Sequence, residues 1–249
     1  VAGLGNETVT ITDAGTVLAA DLNAIDAITS VAVAAGTATG LSGTAADVST
    51  ALASAGITKS GAVTATITGA TSAAATLNTI NTATTGLVTV NSTAITGSLT
   101  EVTALYAANN ATTPTIAGLG NEVVTINDTG TINVSDLNTV DGVTSGNVNV
   151  AGVTGLSGTA SALVTAYGSN QIVGLANEAL TITGAATAAD ITALYTPASG
   201  TTGAVTVNAT SISGTYDQIV ALSTAQTAGT ISGIVGQAIT INDATISVT

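Results

Sequence analysis

The side chains of this chain that could do chemistry are almost all carboxylates. The sequence has fourteen Asp and Glu, a single Lys or Arg, and no His or Cys in 249 residues. Calcium takes carboxylate oxygens from loops, so aspartates near recurring turns are candidate ligands. These candidates are Asp13, Asp21, Asp26, Asp128, Asp136 and Asp141. For Asp13 and Asp128, which come one residue after apolar triplets, the alternative is an Asx turn at the end of a strand.

The composition excludes most catalytic sites and predicts a protein that is not an enzyme. A Ser-His-Asp or Cys-His site and a common zinc site lack their residues. The only basic residue, Lys59, lies in no phosphate-binding glycine loop. A carboxylate pair can cleave glycosidic bonds, but the four tyrosines lie mainly in helix-like stretches and offer no platform for a sugar. Apart from calcium, no cofactor is expected.

Charge and hydropathy limit the partners. The net charge of -13 should repel nucleic-acid backbones. No apolar run approaches the roughly 20 residues of a membrane helix, so no membrane insertion is expected. Hydrophobic residues make up 45% of the chain and the mean hydropathy is +0.59, which favours a folded protein over a disordered one.

Several acids occur at helix starts, where a structural role accounts for them. Four segments match the capping box, in which a Ser or Thr and an acid or amide three residues later satisfy the first helix amides. They begin at Thr44, Ser98, Thr187 and Thr215 and end at Asp47, Glu101, Asp190 and Gln218. Apolar pairs at helical spacing follow: Val48/Leu52, Val102/Leu105, Ile191/Leu194 and Ile219/Leu222. The pattern predicts short helices that dock through one narrow stripe.

Internal repeats organise the whole chain. The opening motif Gly-Leu-Gly-Asn-Glu returns at residues 118–122, loosely at 174–178, and as a decayed copy at 233–237. Its glutamates, Glu7, Glu122 and Glu178, are interpreted as structural. We expect a single repeat array over residues 1–249, with units near 1–56, 57–114, 115–170 and 171–229 and a partial unit at 230–249.

Apolar triplets with a polar or small middle residue recur within these units. Alternate side chains of a strand point to opposite faces, so the aliphatic pairs should face a core and the middle residues should face outward. The outward threonines are Thr10, Thr66, Thr89, Thr125, Thr181, Thr206 and Thr240. Stacked in parallel register, they would form a ladder. The expected fold is therefore mainly β, a parallel β-solenoid of eight to nine coils with short helices along one side.

The two ends of the array show no polar cap, although open strand edges and apolar ladders need one. Either the chain is a segment of a longer array, or copies mate head-to-tail, which builds a filament because the contact does not close. The residues expected at the mating ends are Val1, Leu4, Ile239, Ile241, Ile246 and Val248.

The repeats resemble those of very large cell-surface and secreted proteins of cyanobacteria. The resemblance rests on Gly-Leu-Gly-Asn-Glu, Asp-Leu-Asn-x-x-Asp, Gly-Leu-Ser-Gly-Thr-Ala and Thr-Ala-Ala-Asp, and it covers essentially the whole chain. It implies an extracellular or cell-surface location and carries over no catalytic residue. We expect a structural protein that assembles head-to-tail with itself. The alternatives are an adhesin segment that binds glycans or calcium, and an ice-binding protein that uses the threonine ladder.

Overall fold

A computed structural model describes residues 5–196 and 200–243, and it corrects the expected fold class. The protein is mixed α/β: 32% of the described residues are helical, 29% are in strands, and the strands form several parallel sheets. The prediction of a mainly β solenoid is wrong. Most strands span only two to four residues, whereas the segments behind them form helices of eight to twelve residues.

Eight helices occur in the described part of the chain. They are α1 (Ala19–Asp26), α2 (Ala45–Ala53), α3 (Ala74–Ala83), α4 (Leu99–Asn109), α5 (Val134–Asp141), α6 (Ala160–Gly168), α7 (Ala188–Tyr195) and α8 (Tyr216–Thr227). The longest, α8, has 12 residues. Among the helices described here, none combines the length and apolar character that a membrane span requires.

The described residues form two compact units, of which the first comprises residues 5–125 and 143–146. Its strands are β1 (Thr16–Leu18), β2 (Val33–Ala34), β3 (Gly40–Gly43), β4 (Ile57–Thr58), β5 (Thr64–Ile67), β6 (Thr71–Ala73), β7 (Val88–Val90), β8 (Ala94–Gly97), β9 (Ile116–Ala117) and most of β10 (Val123–Ile126). One sheet has the order β1-β3-β5-β7-β9, and β2 pairs with β4. β6 pairs with β8, which lies next to β10.

The second unit comprises residues 126–142, 147–196 and 200–243. Its strands are β11 (Thr131–Asn133), β12 (Val148–Asn149), β13 (Gly155–Gly158), β14 (Ile172–Val173), β15 (Ala179–Thr187), β16 (Val205–Gly214), β17 (Ile231–Ser232) and β18 (Ala238–Ile241). The main sheet has the order β11-β13-β15-β16-β17, and β18 also pairs with β16. β12 pairs with β14.

The strands pair in parallel with partners that lie about 24 residues away in the sequence. Leu41 is opposite Val17, and Ala65 is opposite Leu41 in the next pairing of the same sheet. A parallel pair needs a crossover of a dozen or more residues, which is usually a helix. The helices are therefore required by the strand pairing, and each returns the chain to the start of the next strand.

The predicted apolar stripes on the helices are confirmed with one exception. Val48, Leu52, Val102, Leu105, Ile191, Leu194 and Leu222 are buried. Ile219, near the start of α8, is only half-buried. The core also holds the outer residues of the triplets, such as Ile67 and Val90, which are at most 1% exposed.

The predicted helix caps are also confirmed. The side chain of the predicted cap accepts a hydrogen bond from the backbone amide three residues later at Thr44, Ser98, Thr187 and Thr215. The box is reciprocal at α4 and α8, where the side chains of Glu101 and Gln218 accept from the backbone amides of Ser98 and Thr215. In α2 the Thr44 hydroxyl also donates to Asp47 Oδ2 at 2.7 Å.

We expect Ser98→Ala to lower the free energy of unfolding by about 1 kcal/mol, because the first turn of α4 loses the acceptor for one of its amides. The matched control is Thr100→Ala in the same turn, where the side chain is exposed. This control should change the stability by less than about 0.5 kcal/mol. Urea unfolding followed by circular dichroism measures both, and equal losses would contradict the role of the cap.

Candidate functional site

The repeated Gly-Asn-Glu segments, of which the third copy is Ala-Asn-Glu, form a turn that is closed by the glutamate side chain. We call residues 5–7, 120–122 and 176–178 the connector turns. Glu122 Oε2 accepts a hydrogen bond from the Gly120 amide at 2.8 Å, and Glu178 Oε2 accepts one from the Ala176 amide at 2.9 Å. In the first copy Glu7 Oε2 accepts from the Gly5 amide at 2.7 Å. The recurrence of these glutamates thus has a geometric cause.

A threonine segment about 22 to 26 residues further along the chain docks on each connector turn. We call residues 29–30, 144–146 and 201–203 the clamps. The Thr144 hydroxyl donates to the Glu122 carbonyl at 2.9 Å, and the next amide, Ser145, donates to the Gly120 carbonyl at 2.8 Å. The Thr201 hydroxyl donates to the Glu178 carbonyl at 2.7 Å. Each clamp therefore satisfies carbonyls that a turn alone leaves unpaired.

Two clamps end in a glycine that is packed against the connector backbone. The Gly146 amide donates to Thr144 Oγ1 at 3.1 Å, and the Gly203 amide donates to Thr201 Oγ1 at 2.8 Å. A Cβ atom on Gly146 would lie 2.1 Å from the Glu122 carbonyl oxygen, and one on Gly203 would lie 2.4 Å from that of Glu178. No side chain fits there, so glycine is required.

In the second and third connector turns the glutamate is buried against a tyrosine from the preceding helix. The Tyr106 hydroxyl of α4 donates to Glu122 Oε2 at 2.9 Å, and the Tyr167 hydroxyl of α6 donates to Glu178 Oε2 at 2.9 Å. Glu122 is 0% exposed and Glu178 is 3% exposed. Glu7 in the first copy is exposed.

The electrostatics of these pairs follow from their burial. Burial is the largest cause that raises the pKa of Tyr106, and the charge of Glu122 raises it further. Burial likewise raises the pKa of Tyr167 above its usual value. At the exposed Glu7, the hydrogen bond from the Gly5 amide is the main cause that lowers the pKa of the carboxyl. Each of the two buried glutamates accepts a hydrogen bond from a neutral phenol. Glu122 has no exposed surface, so a substrate cannot reach it.

Two of the six candidate calcium ligands bind serine hydroxyls instead of facing one another. Asp26 Oδ2 accepts from Ser54 Oγ at 2.7 Å, and Asp141 Oδ2 accepts from Ser169 Oγ at 2.9 Å. The two serines also accept backbone amide bonds, at Gly56 and at Gln171 and Ile172. These are equivalent helix-end contacts in two repeats.

The other four candidate ligands lie at the surface or close to it. Asp13 and Asp21 line the same surface depression of the first unit. Asp128 is half-buried just after β10, and Asp136 is exposed in the first turn of α5. Within residues 5–196 and 200–243 the structure brings no group of three or more acids together that could hold a metal ion. Calcium binding stays a prediction.

The predicted threonine ladder is distributed over several strand pairs. Thr66 is opposite Thr89 in the first unit, and Thr181 is opposite Thr206 in the second. The remaining members lie elsewhere: Thr10 bridges Ala34, Thr125 is in β10, and Thr240 is opposite Ser213. Strands β3 and β13, which pair with the threonine-containing strands β5 and β15, have the sequence Gly-Leu-Ser-Gly. Ser42 therefore lies opposite Thr66, and Ser157 lies opposite Thr181.

Of the residues expected at the mating ends, Ile239 and Ile241 lie in β18. Val1, Leu4, Ile246 and Val248 lie outside the described residues. Sequence reasoning missed the clamps and the tyrosine–glutamate pairs. The available signal was a threonine 22 or 23 residues after a connector glutamate, followed two residues later by glycine.

We expect Gly146→Ala to destabilise the protein by about 1–3 kcal/mol, because the new methyl group overlaps the Glu122 carbonyl. Gly130→Ala is the matched control, since a Cβ atom there meets nothing within 4 Å. Both changes remove a similar backbone entropy from the unfolded chain. Thermal unfolding measures the difference, and equal midpoints for the two variants would contradict the packing argument.

We expect Tyr106 and Tyr167 to ionise later in the folded protein than in urea. Their raised pKa means that the unfolded chain releases these protons first. The stabilisation that these two tyrosines contribute is therefore fully present below about pH 10, the usual tyrosine pKa, and falls as the pH rises above this value. Absorbance at 295 nm against pH, with and without urea, measures this. Tyr106→Phe should remove about half of the difference between the two curves, and coincident curves for the unmodified protein would contradict burial.

No family model matches the chain, and no curated protein or solved structure shows significant similarity to it.

Proposed function

We propose that this chain is a structural, non-enzymatic repeat protein that assembles head-to-tail with itself into an extracellular filament or surface layer. The observation that carries the proposal is the open edge of β18. In the described residues β18 pairs with β16 alone. Ile239 of β18 is 44% exposed, and Val235 before it is 81% exposed. An edge of this kind is a template for another strand.

The first strand of the first unit, β1, also has an open edge with exposed apolar side chains nearby. β1 pairs with β3 alone among the described residues, and Leu18 at its end is 56% exposed. Ile28, in the connection after α1, is 67% exposed. Together with Val235, these are the three most exposed large apolar side chains that the structure describes. A heterologous contact between two such different ends does not close, and it builds a filament.

Charge favours end contacts over side contacts. The net charge of -13 makes separate filaments repel each other through their acidic sides. Salt screens this electrostatic repulsion beyond about 8–10 Å. The repulsion therefore does not prevent a short-range apolar contact at the ends. The extracellular location is supported by the resemblance to cyanobacterial surface repeats and by a sequence without sulfur.

Electron microscopy of the purified chain over a concentration series tests the proposal. We expect fibres of uniform width that grow from this chain alone, with and without calcium. Growth only with calcium would favour the adhesin alternative, and monomers at every concentration would contradict self-assembly.

A substitution pair locates the contact. Ile239→Glu should raise the protein concentration needed for fibres by tenfold or more, because a charge buried at the contact costs over about 1.4 kcal/mol. Val123→Glu is the control, since Val123 is similarly exposed at 47% but belongs to β10 and not to β1 or β18. Equal effects of the two variants would show that the β18 edge is not the contact.

A further inference from the structure

The last repeat lacks the tyrosine that the two repeats before it bury. The side-chain caps Ser98, Thr159 and Thr215 start α4, α6 and α8. The eighth residue after the cap is Tyr106 in α4 and Tyr167 in α6, but Ser223 in α8. The acid that these tyrosines contact is changed as well: Gln237 stands where the earlier connector turns have Glu122 and Glu178.

An equivalent hydrogen bond, from a connector backbone amide to a helix side chain, supports this alignment of α8 with α4. In α4, Asn109 Oδ1 accepts a hydrogen bond from the Leu119 amide at 3.2 Å. In α8, Gln226 Oε1 accepts one from the Ile234 amide at 2.7 Å. The helix and the connector segment therefore meet through an equivalent hydrogen bond in both repeats, although the tyrosine and its acid are replaced.

An open cavity of about 210 Å³, lined also by the exposed Val235, lies beside Ser223, which stands at the tyrosine position. Its lining includes Ile212, Ile219, Leu222, Ser223, Gln226 and Ile239. The equivalents of three of these residues, Ile95, Val102 and Leu105, are 0% exposed in the repeat that contains Tyr106, whose side chain is itself 2% exposed. In the last repeat Ile212 and Leu222 are just as buried, whereas Ile219 is only half-buried.

We infer that this cavity binds a small neutral aromatic molecule of the phenol class. The wall is aliphatic, and Ser223 and Gln226 place polar groups beside it. The buried carboxylate of the earlier repeats is absent, because the residue at that position is Gln237, whose side-chain amide donates to the Gly233 carbonyl at 2.9 Å. A cation thus gains nothing from this site. Apolar cavities of about 150 Å³ are known to bind benzene, so the size is sufficient for one ring. Ile239 and Val235 belong both to this cavity and to the assembly contact proposed above, so the binding is inferred for the unassembled chain and does not require that filaments form.

Titration of the 249-residue chain with p-cresol, at a concentration low enough to keep it unassembled, tests the inference. With isoleucine methyl groups labelled for NMR, we expect saturable shifts at Ile212, Ile219 and Ile239, and a Kd on the order of 1 mM for so small a ligand. Nuclear Overhauser contacts between the p-cresol ring and these methyl groups locate the site without any substitution. Shifts that do not saturate, or contacts elsewhere only, would overturn the inference.

Three variants sharpen the test. Ser223→Tyr fills the cavity and should weaken p-cresol binding at least tenfold. Ser161→Tyr places the same side chain at an exposed position of α6 and should leave binding unchanged. Combining Ser223→Tyr with Gln237→Glu should restore a buried pair, seen as one more tyrosine that ionises late at 295 nm. Undiminished binding in Ser223→Tyr would overturn the proposed site.

Discussion

Parallel pairing between strands about 24 residues apart is the constraint on which the other features depend. A chain that returns in the same direction must cross over between strands, and here a helix of eight to twelve residues makes the crossover. Neither element is stable alone: strands of two to four residues and helices of two to three turns need a partner surface. Each repeat therefore depends on its neighbour, as in other repeat proteins.

The clamps make this dependence specific. Short strands leave many backbone groups in connections, and buried carbonyls without partners are costly. Thr144 and Thr201 satisfy the carbonyls of the preceding connector turn with their hydroxyls. The glycines that follow permit backbone contact at a distance that excludes any side chain. A chain rich in Thr, Ala and Gly can make such contacts repeatedly, because small residues let neighbouring backbones approach.

The few large or charged side chains have correspondingly defined positions. Tyr106 and Tyr167 each fill one gap beside a connector turn, and a buried glutamate orients each phenol. The last repeat has Ser223 and Gln237 instead and retains a cavity. The same repeat also carries the open edge of β18. The repeats that contain Tyr106 and Tyr167 thus bury a tyrosine beside the connector turn, and the last described repeat does not.

The sequence by itself determined the repeats, which are visible as copies of the same motifs. It also determined the helix caps and most of the buried helix stripes, because these patterns depend on residues three or four positions apart. It did not determine the balance of helix and strand, the composition of the outward rows, or the pairing of Tyr106 with Glu122. Gly-Leu-Ser-Gly has few residues that favour strands, yet β3 and β13 lie within sheets because their neighbours pair with them. Such contacts join residues 11 to 28 positions apart, and only the path of the folded chain decides which of them meet.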